Sequence, residues 1–228
     1  MTPDAFIQAH TAVASAPLVP EIRLHLATEL TPIWQATETW LARSGIEPPF
    51  WAFAWPGAQA LARHVLDRPH LVRCRRVLDF AAGGGLAATA CALCGASVEA
   101  AEIDPMATAA IRLNAALNGV TVSALAGDLV GQPCRWDLIL CGDVCYEAPM
   151  TAHILPWLRD CARSAEIWIA DPGRAYLPAA GLEPLAVYDV PTTLELEDRL
   201  HRTTRILRLL PLSPKSAPNP SPPGTGPG

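Results

Sequence analysis

Three consecutive glycines follow an acidic residue in one short stretch of the sequence, Asp79 to Gly85, which reads DFAAGGG. A strand pattern, RRVLDF, leads into it and a helical pattern, LAATACALCG, follows it. Glycines at such a turn let the backbone approach a ligand closely, and the free N–H groups at the start of the helix attract an anion. The stretch therefore predicts a binding loop for a nucleotide-like ligand.

Two kinds of ligand fit this loop. Gly83, Gly85 and Ala88 satisfy the spacing G-x-G-x-x-G/A, and Glu102 lies 19 residues after Gly83 at a strand end, as in NAD-binding domains. Asp79 favours another ligand, because a carboxylate beside the loop would repel a pyrophosphate and attract an ammonium group. S-adenosylmethionine carries such a group, and its ribose hydroxyls can hydrogen-bond to Glu102. We expect S-adenosylmethionine, with NAD as the alternative.

A second set of chemically capable residues, GDVCYE at positions 142–147, follows the strand pattern WDLIL. Ligands of open α/β sheets bind outside the carboxyl ends of the strands, so Asp143 and Tyr146 are expected to face the crevice of the glycine loop. A carboxylate and a phenol can orient a neutral lysine amine toward a methyl group, and an aromatic ring stabilises the methylated ammonium product. The alternatives are that Asp143 caps a helix and that Tyr146 only packs.

Four aromatic residues lie within six positions of the segment PFWAFAWPG, residues 49–57. Pro56 suits the first turn of the helical pattern PGAQALARHVLD, and Gly57 removes bulk at its start, so Trp55 is expected at the carboxyl edge of the sheet. Aromatic rings there would exclude water and attract a cation. For Trp51 and Phe53 the alternative, plain core packing, is the stronger expectation.

The elements that must position these residues follow from alternating patterns. From residue 75 onward strand, turn and helix repeat, which indicates βαβ units and a Rossmann-like α/β fold. We expect a mostly parallel sheet of seven strands with helices on both faces, its last two strands being LAVYDV and RTTRILRLL. Upstream, residues 2–16 and 31–44 have helical patterns, and Ile22, Leu24 and Leu26 alternate as in a short strand.

The chain is expected to contain three parts. Residues 1–48 form a helical and strand extension, and residues 49–210 form a single α/β domain. Residues 211–228 are rich in Pro, Gly and Ser and lack the apolar residues of a core, so they are predicted to be disordered.

Composition excludes several classes of protein. Half of the 228 residues are hydrophobic and the net charge is −5, so a nucleic-acid partner is not expected. Residues 80–98 are uncharged, but consecutive glycines interrupt them, so no membrane span is expected either. Dispersed histidines predict no metal site, and Cys91 and Cys94 are expected to pack in the core.

Cellular location follows from cysteines and from the first residues. The seven cysteines are scattered, and no Arg or Lys precedes Arg23, a pattern that fits neither a disulfide framework nor a leader sequence. We therefore expect a cytoplasmic protein, and a monomer.

The segments PFWAFAWPGAQAL, VLDFAAGGGLAA, AEIDPMA, WDLILCGDVCYE and IADPGR occur in this order between about residue 20 and residue 209. As an ordered set they resemble the seven-strand (class I) protein-lysine methyltransferases, most closely those that act on the β subunit of electron transfer flavoprotein. The resemblance implies S-adenosylmethionine as cofactor and a lysine of that subunit as methyl acceptor. The alternatives are a ribosomal or translation protein as substrate, an NAD-dependent oxidoreductase, and a non-catalytic cofactor-binding module.

The resemblance also implies roles for individual residues. The family's acidic-x-Gly-x-Gly loop corresponds to Asp79, Gly83 and Gly85, and Ala81 stands where the family generally has glycine, so its methyl group is expected to crowd the backbone and weaken cofactor binding. Asp104 could instead cap the next helix. The expected cofactor-binding residues are Trp55, Gly57, Asp79, Ala81, Gly83, Gly85, Glu102, Ile103, Asp104, Asp128 and Gly142. The expected catalytic residues are Asp143 and Tyr146, and Phe50, Trp51 and Phe53 are expected to form an aromatic roof.

Two charged stretches carry weaker expectations. The turn DPGR at residues 171–174 is expected to place Arg174 on the surface, with substrate docking as the alternative. The run ELEDR at residues 195–199 is expected to be a solvated hairpin.

Overall fold

The computed structural model describes residues 2–27 and 49–211. The predicted helix at 31–44 and the predicted disordered tail from residue 212 onward lie outside the described residues. The helices are α1 (Pro3–His10), α2 (Pro56–Asp67), α3 (Leu86–Leu93), α4 (Pro105–Leu117), α5 (Ala148–Cys161) and the one-turn α6 (Leu194–Glu197). The strands are β1 (Ala12–Ala16), β2 (Val19–Leu26), β3 (Arg76–Phe80), β4 (Ser97–Glu102), β5 (Ser123–Ala126), β6 (Leu138–Gly142), β7 (Glu166–Asp171), β8 (Leu182–Pro191) and β9 (His201–Leu209).

The main sheet has seven strands in the order β5-β4-β3-β6-β7-β9-β8. The five neighbouring strands β5, β4, β3, β6 and β7 are parallel to one another. Strand β9 is antiparallel to both of its neighbours, β7 and β8. The strand order reverses beside β3, which pairs with β4 on one side and β6 on the other. Such a reversal opens a crevice at the carboxyl ends of the strands. The predicted seven-stranded, mostly parallel sheet is confirmed.

Successive residues of the central strands enter different halves of the core. Leu138 and Leu140 of β6 pack with residues of α2 and α3, whereas Ile139 and Cys141 pack on the other face with residues of α5. Side chains of a strand alternate between faces, so a strand that is covered on both sides is apolar at every position. The continuous run LILC is therefore a central strand of a two-layered core.

The N-terminal segment differs in part from its prediction. The helix expected over residues 2–16 ends at His10, and Ala12–Ala16 pair antiparallel with β2 instead. Alanine has the highest helix propensity, but propensity is a weak preference that tertiary contacts override, and here the hydrogen bonds offered by β2 outweigh it. The strand predicted from Ile22, Leu24 and Leu26 is confirmed, with Ile22 and Leu24 buried.

Two further expectations bear on the helices. Cys91 and Cys94, at the end of α3, are buried as free thiols, so the prediction that they pack in the core is confirmed. Within residues 2–27 and 49–211, no helix combines the length and apolar character that crossing a membrane requires.

Candidate active site

A cavity of about 640 Å³ opens at the carboxyl ends of β3, β4 and β6. Its walls are the loops after these strands, the aromatic segment that precedes α2, and the first turns of α5. The predicted site residues that line it are Trp55, Ala81, Gly83, Glu102, Ile103, Asp104, Asp128, Gly142, Asp143 and Tyr146. Gly57, Asp79 and Gly85 do not line it, and each has a supporting position described below.

Gly85 supports the glycine loop on the side away from the cavity, where α3 packs on α4. It precedes α3 with φ of +76°, a conformation that favours glycine, and a Cβ there would lie 3.2 Å from Cγ1 of Ile111 on α4. Gly85 thus allows α3 to pack closely on α4, while Gly83 presents its backbone to the cavity.

Asp79 lies at the end of β3, where only 3% of its surface is exposed. Its Oδ2 accepts a 2.8 Å hydrogen bond from the N–H of Ala88. Burial raises the pKa of Asp79 to about 8 against the effect of this hydrogen bond, and the charge of Glu102 adds to the rise. Asp79 does not line the cavity, and its Oδ2 is engaged by α3, so its direct contact with a ligand ammonium group stays a prediction. Asp79 fixes the first turns of α3 beneath the loop.

We predict that Asp79→Asn stabilises the ligand-free protein more as the pH rises. An acid with a pKa near 4 in the unfolded chain and about 8 in the folded protein binds more protons when folded, so its contribution to the free energy of unfolding falls between these pH values. Asparagine keeps an acceptor for Ala88 and does not titrate. The Tm difference between variant and parent should therefore be several degrees larger at about pH 9 than at about pH 5. Equal differences would contradict a raised pKa for Asp79.

Glu102 connects β4 to the glycine loop across the cavity floor. Its Oε1 accepts a 2.6 Å hydrogen bond from the N–H of Gly83, and its Oε2 accepts one of 3.1 Å from the N–H of Ile103. Burial raises the pKa of Glu102 to about 7, opposed by the bond from Gly83 and assisted by the charge of Asp104. A carboxylate oxygen has two lone-pair sites, so Glu102 can also accept hydrogen bonds from two ligand hydroxyls.

Asp104 and Asp128 line the same end of the cavity. Oδ1 of Asp104 accepts a 2.8 Å hydrogen bond from the N–H of Met106, so this residue caps α4 as the alternative interpretation expected. Asp128 accepts a bond from the N–H of Val130, and its Oδ2 lies 2.6 Å from Nε2 of His153 on α5. Both carboxylates are thus held in place by neighbouring groups of the cavity wall.

Asp143 follows β6 and is 8% exposed, with a φ of +57°. Its Oδ2 accepts a 2.5 Å hydrogen bond from the N–H of Gly57, and its Oδ1 accepts bonds from Nη2 (2.8 Å) and Nε (3.2 Å) of Arg174. Burial raises the pKa of Asp143 to about 6, although Arg174 and the N–H of Gly57 act against the rise. The left-handed backbone turns this carboxylate into the cavity.

Gly57 is the residue that makes this arrangement possible. It lies in the first turn of α2, whose N-terminal dipole stabilises the charge of Asp143. A Cβ at Gly57 would lie 2.5 Å from Oδ2 of Asp143 and 2.6 Å from the carbonyl oxygen of Ala170. Gly57 therefore supports Asp143 from below the cavity wall.

The aromatic segment forms one side of the cavity. Phe50, Trp51 and Trp55 line it, and the ring centroid of Phe50 lies 5.9 Å from those of both Trp55 and Tyr146. Trp51 also packs in a core cluster with residues of α1 and α4, so both of its expected roles are present. Phe53 is not among the lining residues; it is partly buried against the same core cluster, as the packing alternative expected, and its ring centroid lies 6.2 Å from that of Trp55, so its place in the aromatic roof stays a prediction.

Arg174 and Glu197 lie at the site although their sequence segments were mainly expected at the surface, with substrate docking as the alternative for Arg174. Arg174 lines the cavity with a side chain only 20% exposed, so the expected surface position is wrong. Its guanidinium also bonds to Glu197, at 2.5 Å from Nη2 to Oε1. The Glu197 side chain is 1% exposed, so the expectation of a solvated hairpin is wrong for this residue. The other unpredicted lining residues are Phe80, Ala101, Ala107, Gly127, Leu129, Val144, Glu147, Pro149, Met150, His153 and Ile154.

Comparisons with known proteins decide the family. Residues 54–142 match the family model described as "Methyltransferase small domain". The chain is 41% identical over 206 residues to the electron transfer flavoprotein beta subunit lysine methyltransferase of Xenopus laevis, which covers 86% of this chain and 82% of that protein. It is 36% identical over 196 residues to the Danio rerio protein of the same name, and the match covers 82% of this chain and 74% of that protein.

The chain belongs to the family of electron transfer flavoprotein beta subunit lysine methyltransferases. The resemblance of the ordered sequence motifs to this family is thereby confirmed, and this methyltransferase is not an NAD-dependent oxidoreductase.

Solved structures show the same fold. The 16S rRNA N2 G1207 methyltransferase of T. thermophilus, in complex with AdoMet and guanosine, has a TM-score of 0.53 at 18% identity, with 70% of this chain and 44% of that chain covered. The magnesium protoporphyrin IX methyltransferase of Synechocystis PCC 6803 with bound SAM has a TM-score of 0.50 at 14% identity, with 78% and 96% covered. The Rossmann-like α/β fold predicted from the strand and helix patterns is confirmed, and it is the fold of these methyltransferases.

Proposed function

We propose that this methyltransferase transfers a methyl group from S-adenosylmethionine to a lysine side chain of the β subunit of electron transfer flavoprotein. One observation carries the proposal: the glycine loop with Glu102 and the pair Asp143 and Tyr146 line a common cavity. The names of the relatives support the substrate, and the bound ligands of the structural neighbours support the cofactor.

The cavity residues suit S-adenosylmethionine. A volume of about 640 Å³ lies within the usual range of about 300–1,000 Å³ for small-molecule sites. In our proposal Glu102 binds the ribose hydroxyls, the backbone near Gly83 lies against the amino-acid part, and the apolar wall covers the base. That wall includes Ala101, Leu129 and Ile154. Asp128 and Ile103 lie near the base in this arrangement.

The chemistry requires a neutral lysine amine. S-adenosylmethionine, held by Glu102 and the backbone near Gly83, would supply a methyl group on its sulfonium; the lysine lone pair would form the new carbon–nitrogen bond as the carbon–sulfur pair stays on sulfur, and the resulting ammonium would release a proton to water. Asp143, fixed by Gly57 and Arg174, accepts a hydrogen bond from the amine and aims its lone pair. The rings of Tyr146, Phe50 and Trp55 exclude water and stabilise the cationic nitrogen.

A labelled methyl-transfer reaction tests this function. The protein is incubated with S-adenosylmethionine labelled on the methyl group and with purified electron transfer flavoprotein, and labelled residues are mapped by mass spectrometry. We expect label on lysines of the β subunit and none on ribosomal or translation proteins added in parallel. Label confined to those other proteins would show that one of them, and not electron transfer flavoprotein, is the substrate. Cofactor binding without any transfer would indicate a non-catalytic binding module.

Replacing Ala81 tests the crowding of the cofactor loop. Ala81 lines the cavity with φ of +53°, a conformation that costs an L-residue with a Cβ about 1–2 kcal/mol. Ala81→Gly removes this strain and the methyl group, while greater freedom of the unfolded chain offsets about 0.4–1 kcal/mol. We expect unchanged or slightly higher stability and a several-fold lower Kd for S-adenosylmethionine by isothermal titration. A higher Kd would show that the methyl group contributes to binding.

We also propose that the protein is a cytoplasmic monomer. All seven cysteines are free thiols, including the exposed Cys74, and a reducing compartment preserves such thiols. Subcellular fractionation and light scattering of the purified protein test the two statements separately.

A further inference from the structure

The Asp143 carboxylate has a nearly complete set of hydrogen-bond donors. Among the described residues it accepts one bond from Gly57 and two from Arg174. A carboxylate has about four lone-pair sites, so one site remains for a substrate amine. With ordinary hydrogen-bond lengths, an amine at that site lies about 4–6 Å from the Arg174 guanidinium. The substrate nitrogen is therefore adjacent to a fixed positive charge.

That charge addresses a chemical difficulty of the reaction. A protonated lysine has no lone pair, and its ordinary pKa is about 10.4. A carboxylate within about 4–6 Å favours the protonated form by a further 1–3 pH units, so Asp143 alone would hold the substrate as an unreactive ammonium. A positive group at a similar distance acts in the opposite direction.

We propose that Arg174 is a positioning residue that offsets the charge of Asp143 and so keeps the bound substrate lysine neutral and nucleophilic. The inference rests on the proposed function, because it concerns the methyl-accepting nitrogen of that reaction. Arg174 touches Asp143 and acts through it. Its Cζ also lies 6.0 Å from the centroid of the Trp55 ring, which fixes the guanidinium at the cavity wall.

Glu197 sets the strength of this effect. Its Oε1 and Oε2 lie 2.5 and 3.2 Å from Nη2 and Nη1 of Arg174, and its Oε2 also accepts a 2.9 Å bond from Nε of Arg202. Asp143, Arg174, Glu197 and Arg202 thus alternate in charge and sum to zero. Removing one member leaves a net charge beside the substrate nitrogen, with a sign that depends on the member removed.

Other titratable groups near Asp143 lie on β7, on β9 and in the loop after β6. From β7, Asp171 lies buried with its Oδ1 bonded to the N–H groups of Gly173 and Arg174, and Arg205 of β9 acts on it electrostatically. From the loop after β6 come Cys145, Tyr146 and Glu147. Burial raises the pKa of Cys145 to about 12, so its thiol stays neutral. These groups remain unchanged in the variants proposed below.

The pH dependence of kcat tests the inference, because kcat reports ionisations in the enzyme–substrate complex. Arg174→Gln is expected to move the acidic limb up by about one pH unit or more, so that kcat near pH 7 falls at least about tenfold and partly recovers near pH 10. Glu197→Gln is expected to move the limb down. Arg174→Lys keeps the charge but not the two bonds to Asp143, so we expect a lower kcat at every pH with the acidic limb close to that of the parent. Arg208→Gln, at a partly exposed ion pair with Glu166 that does not line the cavity, is the control and should leave the limb in place.

Opposite shifts in Arg174→Gln and Glu197→Gln support the inference. A merely structural role would lower kcat equally at every pH in both variants, and a limb unmoved in both would overturn the proposal. If Arg174→Gln fails to fold, as judged by Tm and cofactor affinity, a downward shift in Glu197→Gln still supports it and an unmoved limb still contradicts it. Failure of the parent protein to methylate electron transfer flavoprotein would instead overturn the proposed function, so the two failures are distinguishable.

Discussion

Replacing Asp143 with asparagine is expected to lower kcat for lysine methylation about 100- to 1,000-fold while changing the Kd for S-adenosylmethionine less than about threefold. The carboxylate accepts bonds from Gly57 and Arg174 on its two oxygens. Asparagine has one oxygen, so its amide group must face either the Gly57 N–H or the guanidinium, and the lysine amine loses its acceptor. Initial rates with saturating substrates and isothermal titration with the cofactor measure the two quantities.

Asp160→Asn is the matched control for this substitution. Asp160 lies on α5 with a side chain 80% exposed and pairs with the exposed Arg163, so we expect parental activity. A kcat for Asp143→Asn within about threefold of the control would remove Asp143 from the transfer step.

Replacing Glu102 with alanine is expected to raise the Kd for S-adenosylmethionine about 10- to 100-fold, with a much smaller effect on kcat at saturating cofactor. A hydrogen bond to a charged group contributes about 1.5–3 kcal/mol, and alanine removes the acceptors proposed for the ribose. It also leaves the N–H of Gly83 without the 2.6 Å bond that holds the loop. Isothermal titration and the dependence of the rate on cofactor concentration measure the change.

Glu183→Ala provides the control for the loss of Glu102. Glu183 lies on β8 with a side chain 52% exposed and pairs with Arg208, remote from the residues that line the cavity. We expect it to bind the cofactor normally. If Glu102→Ala binds the cofactor as tightly as this control, the ribose site lies elsewhere.

The features that the sequence predicted correctly are those determined by residues close together along the chain. The run LILC of β6 and the segment PGAQALARHVLD of α2 carry their periodicity within a few residues, so strand, helix and fold class follow from them. The glycine loop, Glu102 and Asp143 all follow strands, and the carboxyl ends of parallel strands meet at one edge. The candidate cavity follows from the same reasoning.

What sequence did not predict depends on contacts between distant segments. Ala12–Ala16 form a strand because β2 offers hydrogen bonds, and Glu197 is buried because two arginines from other segments reach it. Asp79 ends β3 as predicted, but whether its carboxylate meets the ligand or the backbone of α3 depends on how the loop folds over it. Contacts of this kind cannot be predicted from residue spacing or from composition.

A crystal structure of the protein with S-adenosylmethionine tests the central claim most directly. The account predicts the nucleoside in the cavity between β3, β4 and β6, with ribose hydroxyls within hydrogen-bond distance of Glu102 and the methyl group directed toward Asp143 and Tyr146. A nucleoside bound outside this cavity, or one with its methyl group directed away from Asp143, would contradict it.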